Sequence, residues 1–339
     1  MNNYQLHTGD CLAILPTLPD NSVDLILTDP PYYKVKGDAW DRQWTTATEY
    51  LAWLDKVLAE FARVLRPNGS LYLFASPQMA ARVECLIGTR FAVINRITWQ
   101  KDKDRGKHAA TCKADLRSFF PNSEAIIFAE HLGADNIAKG EAGYGAKCDE
   151  LRGFIFEPLR KYLDDARKAA GISHRAVITA LGMTGHDSHF FSPVQWKFPL
   201  KSQYLILQAL FTGYLSLQYE DLRLQYESLR LQYESLRLQY EDLRRPFQVT
   251  AVVPYTDVWD FPTVAHYKGK HPCEKPQDLL RHIITASSRP DAVVLDAFMG
   301  SGSTGKAALA LGRSFIGIEL DPTWVAKVET DLAPRPAVS

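Results

Sequence analysis

The stretch VDLILTDPPY at residues 23–32 decides the fold of this chain. It opens with an apolar run of strand length, which is typical of a parallel strand buried on both faces. Asp29-Pro30-Pro31-Tyr32 follows this run directly. Ligands of α/β proteins bind beyond the carboxyl ends of such strands. The stretch therefore predicts an α/β fold in which this short motif faces a ligand.

The motif Asp29-Pro30-Pro31-Tyr32 has the geometry to hold an exocyclic amine. Two consecutive prolines make a rigid turn, which keeps a carboxylate, a carbonyl oxygen and an aromatic ring in fixed relation. When Asp29 and the Pro30 carbonyl each accept one N–H, the amine pyramidalises and its lone pair points at an electrophile. Tyr32 can then stack on the base. These four residues are the predicted catalytic set, and an ordinary turn with an Asp cap is the alternative.

The α/β pattern surrounds this motif and returns near the end of the chain. The periodicity predicts strands at residues 4–8, 70–75, 91–98, 124–129, 292–296 and 314–318. It predicts helices at residues 50–65, 79–87, 277–287, 303–311 and 323–332. No helix precedes the first strand and no strand follows the last helix, which predicts a circularly arranged sheet with neighbouring ends.

Residues 133–245 form a helical and less apolar insertion between these α/β stretches. Within it, residues 157–191 resemble a helix-turn-helix, with Gly171 at the turn and Ser173 as the N-cap. Gly185 lies where the recognition helix should run, which conflicts with groove reading. We expect this insertion to recognise the target, and a helical packing module is the alternative.

The insertion ends in a heptad repeat, because residues 217–244 read LQYEDLR, LQYESLR, LQYESLR and LQYEDLR. Tyr and Leu alternate at spacings of three and four, which predicts one long helix with an a/d stripe and i,i+3 Glu–Arg pairs. A second apolar side carries Leu217, Leu224, Leu231 and Leu238. We expect both sides to pack on partner helices, and a dimerisation coiled coil is the alternative.

A second motif, DAFMGSGS at residues 296–303, lies between a predicted strand and a predicted helix. Its glycines let the backbone approach a ligand, and the helix N-terminus presents free N–H groups. Glu319 ends the next predicted strand, where an acidic residue usually holds a ribose diol. A tight turn alone is the alternative for these glycines.

Together these residues resemble the amino-methyltransferases of DNA in the beta arrangement, in which the amine motif precedes the FxGxG cofactor motif. Gly9-Asp10 and the element HPCEKP at residues 271–276 match two further motifs of that family, so the resemblance covers about two thirds of the chain. It implies S-adenosylmethionine as cofactor and a Rossmann-like, seven-stranded, circularly permuted sheet. Residues 1–132 and 246–339 would then form the catalytic domain. The implied cofactor-binding residues are Asp10, Lys275, Asp296, Phe298, Gly300, Ser301, Gly302 and Glu319.

The sequence DPPY, rather than SPPY, implies methylation of adenine N6 in double-stranded DNA after base flipping. A cytosine-N4 enzyme and a DNA-binding regulator with an inactive methylase fold are the alternatives. The resemblance is compatible with two further partners of this chain, a second copy of itself and a cognate restriction nuclease.

Basic residues near the motif are the predicted contacts to DNA phosphates. One group lies in residues 33–44, which are predicted to be a mobile lid, and the other in the basic stretch 96–117. Plain surface loops are the alternative for both. The predicted DNA-binding residues are Lys34, Lys36, Lys101, Lys103, Arg105 and Lys107.

Composition limits the remaining classes. The chain has 39 Lys and Arg against 39 Asp and Glu, so any DNA contact must come from local patches. A hydrophobic content of 46% excludes a disordered protein. Five scattered cysteines without metal-ligand spacing support neither a zinc site nor a disulfide framework. With no apolar run of about 18 residues and no signal peptide, we expect a cytoplasmic protein without a membrane partner.

Overall fold

The computed structural model divides the chain into two compact units. The sheet unit comprises Met1–Lys139 and Arg245–Ser339, and the helical unit comprises Gly140–Arg244. The strand-length apolar runs of the sequence all lie in the sheet unit. The structure describes residues 3–33, 43–101, 119, 121–131, 143–183, 189–192, 195–248 and 256–333.

The sheet unit contains one mixed sheet of eight strands in the order β1-β8-β7-β2-β3-β5-β4-β6. The strands are β1 Tyr4–Thr8, β2 Val23–Thr28, β3 Leu65–Ala75, β4 Phe91–Gln100, β5 Ser123–His131, β6 Val258–Asp260, β7 Val293–Asp296 and β8 Ser314–Glu319. Strand β5 runs antiparallel to β3 and β4, and the other pairs are parallel. The eighth strand, beyond the seven that were implied, is the short β6 beside β4.

Helices cover both faces of this sheet. They are α1 Cys11–Ile14, α2 Ala47–Val64, α3 Ala80–Ile87, α9 Gln277–Ser287, α10 Ser303–Ala310 and α11 Pro322–Leu332, with a 3-10 helix at Leu15–Thr17. In β2, Ile26 packs into the core that includes α2, whereas Leu25 and Leu27 pack into the opposite core with α9. All three side chains are fully buried, which confirms the predicted central strand and the α/β class.

The first and last strands along the chain, β1 and β8, pair with each other, as the predicted circular arrangement requires. Strand β1 pairs in parallel with β8, from Tyr4 opposite Phe315 to Thr8 opposite Glu319. This pairing places the turn after β1 beside the end of β8. The circular arrangement therefore brings the first and last motifs of the sequence to one edge.

The helix and the strand that follow β2 both begin earlier in the chain than predicted. Helix α2 starts at Ala47 because Thr46 and Glu49 form a capping box, in which Thr46 Oγ1 accepts the Glu49 N–H at 3.2 Å. Strand β3 begins at Leu65, before the expected Ser70. Residues 66–69 form an irregularity, because Val23 pairs with Leu65 whereas Leu25 pairs with Ser70.

The helical unit has its own apolar core. Its helices are α4 Gly143–Ile155, α5 Glu157–Ala169, α6 His174–Leu181, α7 Lys201–Leu210 and α8 Tyr219–Leu243. Helices α5 and α6 match the first two helices of the predicted helix-turn-helix, with Gly171 at φ 68° and Ser173 as N-cap. Gly182 ends α6, and the described residues between it and α7 contain no third helix. Gly185 lies outside the described residues.

Helix α8 confirms the long helix predicted from the heptads, and its i,i+3 Glu–Arg pairs are present at 2.9–3.4 Å. The a/d stripe packs into the core through Leu222 and Tyr233. The expectation of a second packed side is wrong, because Leu224, Leu231 and Leu238 are 65%, 74% and 55% exposed.

Candidate active site

The carboxyl ends of β1, β2, β7 and β8 open on one cavity of about 1130 Å³ in the sheet unit. This volume exceeds roughly 1,000 Å³, the upper end for pockets that hold one small ligand, so the cavity has room for two ligands. Its lining includes residues 9–11, 28–32, 271–275, 296–301 and 319–321, which are the motifs that the sequence singled out.

Asp29 lies at the end of β2 with its two carboxylate oxygens in different situations. Oδ2 accepts a hydrogen bond from Lys275 Nζ, and Lys275 is 9% exposed. Oδ1 is buried and has no hydrogen-bond partner among the described residues. The carboxylate is thus held from one side and keeps an acceptor for a ligand in the cavity.

A second carboxylate, Glu124 at the start of β5, adjoins this pair. Lys275 Nζ lies 3.5 Å from Glu124 Oε2, and Lys101 Nζ lies 2.5 Å from Glu124 Oε1. The Tyr32 hydroxyl donates to Glu124 Oε2 at 3.3 Å. Two carboxylates and two ammonium groups therefore balance each other beside the predicted amine site.

Burial and charge shift the titration of this cluster in different directions. Burial raises the pKa of the Asp29 carboxyl, and the neighbouring Lys275 opposes this rise. Burial acts in the same sense on Glu124, but Lys275 and Lys101 together hold its pKa below the usual value. Burial also raises the pKa of Tyr32, so its hydroxyl stays a donor at neutral pH. Asp29 is therefore the more basic of the two carboxylates.

Asp296 at the end of β7 shapes the glycine loop from inside. Its Oδ1 accepts from Thr28 Oγ1 at 2.7 Å and from the Phe298 N–H at 3.1 Å. Burial raises the pKa of this carboxyl to about 6. The Asp296 side chain thus links β7 to β2 through Oδ1, and its contact with the cofactor stays a prediction.

Gly300 and Gly302 both have a left-handed backbone, at φ 50° and 70°. A Cβ on Gly302 would lie 2.6 Å from Val328 Cγ1 in α11, and a Cβ on Gly300 would lie 3.0 Å from the His271 ring. The space beside Gly302 is therefore filled by the packing of α11. Glycine is required there by backbone conformation and helix packing, in addition to any approach of a ligand.

Glu319 closes the other side of the glycine loop. Its Oε2 accepts from the Gly300 N–H at 2.8 Å, and its Oε1 accepts from the Asp321 N–H at 2.9 Å. A carboxylate offers about four acceptor positions, so both oxygens keep capacity for hydroxyl donors.

The other predicted cofactor residues make contacts within the protein. Asp10 caps α1 by accepting from the Leu12 N–H at 2.9 Å. The ring centroids of Phe298 and Trp53 lie 5.6 Å apart, and Ser301 Oγ lies 2.8 Å from Ser303 Oγ.

The predicted DNA contacts divide into two groups. Lys101 is bound to Glu124 and only 15% of its side chain is exposed, which does not fit the predicted phosphate contact. Lys34, Lys36, Lys103, Arg105 and Lys107 lie outside the described residues. Most of the predicted lid also lies outside the described residues. Its last residue, Trp44, packs on Tyr50 and Trp53, with ring centroids 5.0 and 4.6 Å apart.

Sequence reasoning missed Glu124 and did not predict the contact of Lys275 with Asp29. Glu124 opens the apolar strand run EAIIFA, and a single acid at a strand start is a weak signal. The ammonium of Lys275 contacts Asp29 and lies 4.8 Å from the centroid of the Phe74 ring, and its predicted role in cofactor binding stays a prediction. Among the described residues, no group of His, Cys, Asp or Glu is arranged to hold a metal ion. No helix in the described ranges is long and apolar enough to cross a membrane.

A mixed sheet with the DPPY turn after β2 and a glycine loop after β7, both on one cavity, is the arrangement expected of an amino-methyltransferase of Rossmann-like fold. Two solved structures share this fold. The cytosine-N4-specific PvuII DNA methyltransferase matches with a TM-score of 0.53 at 13% identity, covering 99% of this chain and 88% of that one. The M1.HpyAVI complex matches with a TM-score of 0.51 at 18% identity, covering 98% and 100%.

The sequence itself is similar to curated DNA methyltransferases. The DNA adenine methyltransferase YhdJ of Escherichia coli K12 is 26% identical over 94% of this chain and 78% of its own length. The type II methyltransferase M1.MboII of Moraxella bovis is 26% identical over 95% and 93%. The model of the DNA methylase family matches residues 23–329. The chain therefore belongs to the DNA methylase family, which transfers methyl groups from S-adenosylmethionine to DNA.

The residues on the cavity fit this cofactor. Glu319 keeps acceptor capacity for the ribose hydroxyls, and the first N–H groups of α10 offer donors for a carboxylate. Asp29 lies on the same cavity, and its buried Oδ1, which has no partner among the described residues, can accept a hydrogen bond from a second ligand.

Proposed function

We propose that this protein methylates the N6 amine of adenine in double-stranded DNA after the base has left the helix. The observation that carries this proposal is the state of Asp29, with Oδ2 held by Lys275 and Oδ1 buried without a partner. An exocyclic amine supplies the N–H donor that Oδ1 lacks. Because this amine is paired inside a duplex, the base must be flipped to reach the cavity.

Three groups of the chain orient the amine. Asp29 Oδ1 and the Pro30 carbonyl each accept one N–H, which leaves the nitrogen lone pair facing the glycine loop. The Tyr32 ring is fixed by its hydroxyl bond to Glu124 and supports the base by stacking. Bound S-adenosylmethionine supplies an electrophilic methyl group on a cationic sulfur. Catalysis then consists mainly of positioning and exclusion of water.

Asp29 also takes up the proton that the reaction releases. Formation of the N–CH3 bond would break the S–CH3 bond of the cofactor, whose electron pair would stay on the sulfur as a neutral thioether, and the amine nitrogen, then cationic, would have to lose one proton. Burial raises the pKa of Asp29 above its ordinary value, which makes it a better proton acceptor than Glu124. Lys275 keeps its charge and holds Oδ2, so it acts as a positioning residue for Asp29.

The cofactor is held on the opposite side of the cavity. We assign the ribose hydroxyls to Glu319, the amino acid part to the loop at Gly300 and Ser301, and the base to the pocket by Asp10 and Phe298. Asp296 supports this loop through Thr28. Residues 1–132 and 246–339 thus form the catalytic domain.

Adenine is favoured over cytosine by the DPPY motif and by the adenine-specific relative YhdJ. The fold neighbour PvuII methyltransferase is specific for cytosine N4, so cytosine N4 is the second candidate. The type II relatives M.HinfI and M1.MboII favour a cognate restriction nuclease as a partner in the cytoplasm.

Transfer of labelled methyl groups to unmethylated DNA, followed by nucleoside analysis, tests the proposal. We expect N6-methyladenine as the product. Labelled N4-methylcytosine would replace the adenine assignment, and absence of transfer by a folded, cofactor-binding protein would refute the activity.

A further inference from the structure

The helical unit contains a second cavity, of about 720 Å³, whose walls are aromatic and whose charged residues are mostly basic. It lies between α4, α8 and the segment before α7. Phe198 and Tyr226 stack at 4.4 Å, and Trp196 lies 6.1 Å from Tyr226. The described residues on its lining include Arg152, Lys197 and Arg230 against the single carboxylate of Glu234.

One polar group in this cavity lacks a partner. Trp196 is only 5% exposed, and its Nε1–H donates to no acceptor in the described ranges. A buried indole N–H normally finds a hydrogen-bond partner, since leaving it unpaired costs free energy. The cavity therefore offers a donor to a ligand that brings a carbonyl or ring-nitrogen acceptor.

We propose that this cavity binds an unpaired nucleobase of the DNA substrate together with its phosphate. Nucleobases stack on aromatic side chains and carry acceptors on their edges, and arginines at the rim suit the phosphate. DNA in which a base is unpaired or displaced from the stack presents such a ligand. This inference rests on DNA being the substrate.

The cavity also accounts for one motif that the catalytic site leaves unused, the heptad repeat. The predicted recognition helix of the helix-turn-helix falls largely on residues 184–188, which lie outside the described ranges, so groove reading by that element stays a prediction. The heptad repeat, by contrast, places Tyr226, Arg230 and Tyr233 on the cavity. The repeat therefore builds a binding surface on its a/d side.

The repeat supplies a matched pair of variants for the test. Arg230 lines the cavity and pairs with Glu227 at 3.4 Å, whereas Arg223 does not line it and pairs with Glu220 at 3.2 Å. Both arginines are exposed and sit in nearly identical heptads. Arg230→Ala and Arg223→Ala thus remove the same charge from the same helix. Trp196→Phe removes only the N–H and keeps an aromatic ring.

Fluorescence anisotropy with a short mixed-sequence single strand, and with the same strand made abasic, measures the site in the full-length protein. We expect Arg230→Ala and Trp196→Phe to weaken binding of the intact strand by about tenfold, with Arg223→Ala near wild type. The abasic strand should bind all four proteins more weakly and respond little to Trp196→Phe.

Two results would overturn the inference. If the Arg230→Ala and Arg223→Ala variants bound the intact strand with equal affinity, Arg230 would make no contact with the phosphate. If Trp196→Phe bound the strand as tightly as the wild type, Trp196 would make no contact with the base. Methyl transfer by the wild-type protein, measured in the same preparation, separates these results from failure of the proposed function. Circular dichroism of each variant confirms that it is folded.

Discussion

Lys275 Nζ and Asp29 Oδ2 form a buried ion pair although 246 residues separate them in the sequence. The lysine comes from the segment before α9, and the aspartate from the turn after β2. The pair unites the HPCEKP element and the DPPY motif in one site. Removing one partner of a buried pair is costly because the other charge is left uncompensated.

Lys275→Met should lower kcat by about 100-fold, because Asp29 loses the contact that sets its orientation. Loss of the ammonium group also raises the pKa of Asp29, so the acidic limb of the kcat/KM profile should move to higher pH. Glu124, Lys101 and Tyr32 remain as the neighbouring titratable groups. Steady-state kinetics as a function of pH measures both effects.

Two further variants make this prediction specific. Lys275→Arg keeps the charge and should recover part of kcat. Lys306→Met removes a lysine whose ion pair with Asp331 at 2.7 Å lies on the surface, and it should behave like the wild type. An unchanged pH profile in Lys275→Met would contradict the positioning role.

Asp29→Asn should reduce methyl transfer by roughly 10³-fold or more, because the contacts that are lost act mainly in the transition state. Binding of S-adenosylmethionine by calorimetry and of DNA by anisotropy should stay close to the wild type. Near-normal turnover of the variant would show that Asp29 does not orient the amine.

Asp296→Asn tests the raised pKa of a buried carboxyl. The folded pKa of about 6 exceeds the unfolded value of roughly 3.9, so ionisation between these values costs the folded state about 3 kcal/mol. The free energy of unfolding of the wild type should therefore fall relative to Asp296→Asn as the pH rises from about 4 to 7. Urea unfolding at several pH values measures this difference.

The exposed Asp321 provides the opposite control. Hydrogen bonds from Thr323 hold its pKa below the ordinary value, so its contribution to stability is present at neutral pH and is lost as the pH falls. Asp321→Asn should thus lose stability relative to the wild type at neutral pH. The same sign for both variants would exclude the burial argument for Asp296.

Gly302→Ala should destabilise the fold by about 2–3 kcal/mol, since the new Cβ would meet Val328 and the residue has φ 70°. Gly312→Ala is the matched control, because Gly312 has φ 71° and nothing within 4 Å of the added Cβ. The excess cost at Gly302 should shrink in the Val328→Ala background. Denaturant unfolding of this double-mutant cycle measures the coupling, and equal costs at both glycines would refute a clash.

Deletion of residues 224–230 should leave folding and catalysis intact, because seven residues turn a helix by about 700°, close to two full turns. It also returns a Tyr, an Arg and a Tyr to the positions that line the cavity of the helical unit. Deleting only residues 224–226 rotates everything downstream by about 300° and should cost more stability. Thermal melts compare the two, and a milder three-residue deletion would disprove the packed stripe.

The sequence predicted the parts of the site that are local in the chain. The DPPY turn, the glycine loop and Glu319 each follow a recognisable strand, so their common edge could be inferred. The contacts of Lys275 and Glu124 could not be, because they depend on tertiary packing between distant segments. Likewise β6 is three residues long, and its pairing with β4 leaves no periodic pattern to detect.

The pairing of β1 with β8 has a consequence for synthesis of the protein. Strand β1 is synthesised before its partner β8, and Asp29 is synthesised before Lys275. Such high contact order delays closure of the sheet until β8 has been made. A nascent chain that still lacks β8 therefore carries an unpaired β1 and an unassembled active site.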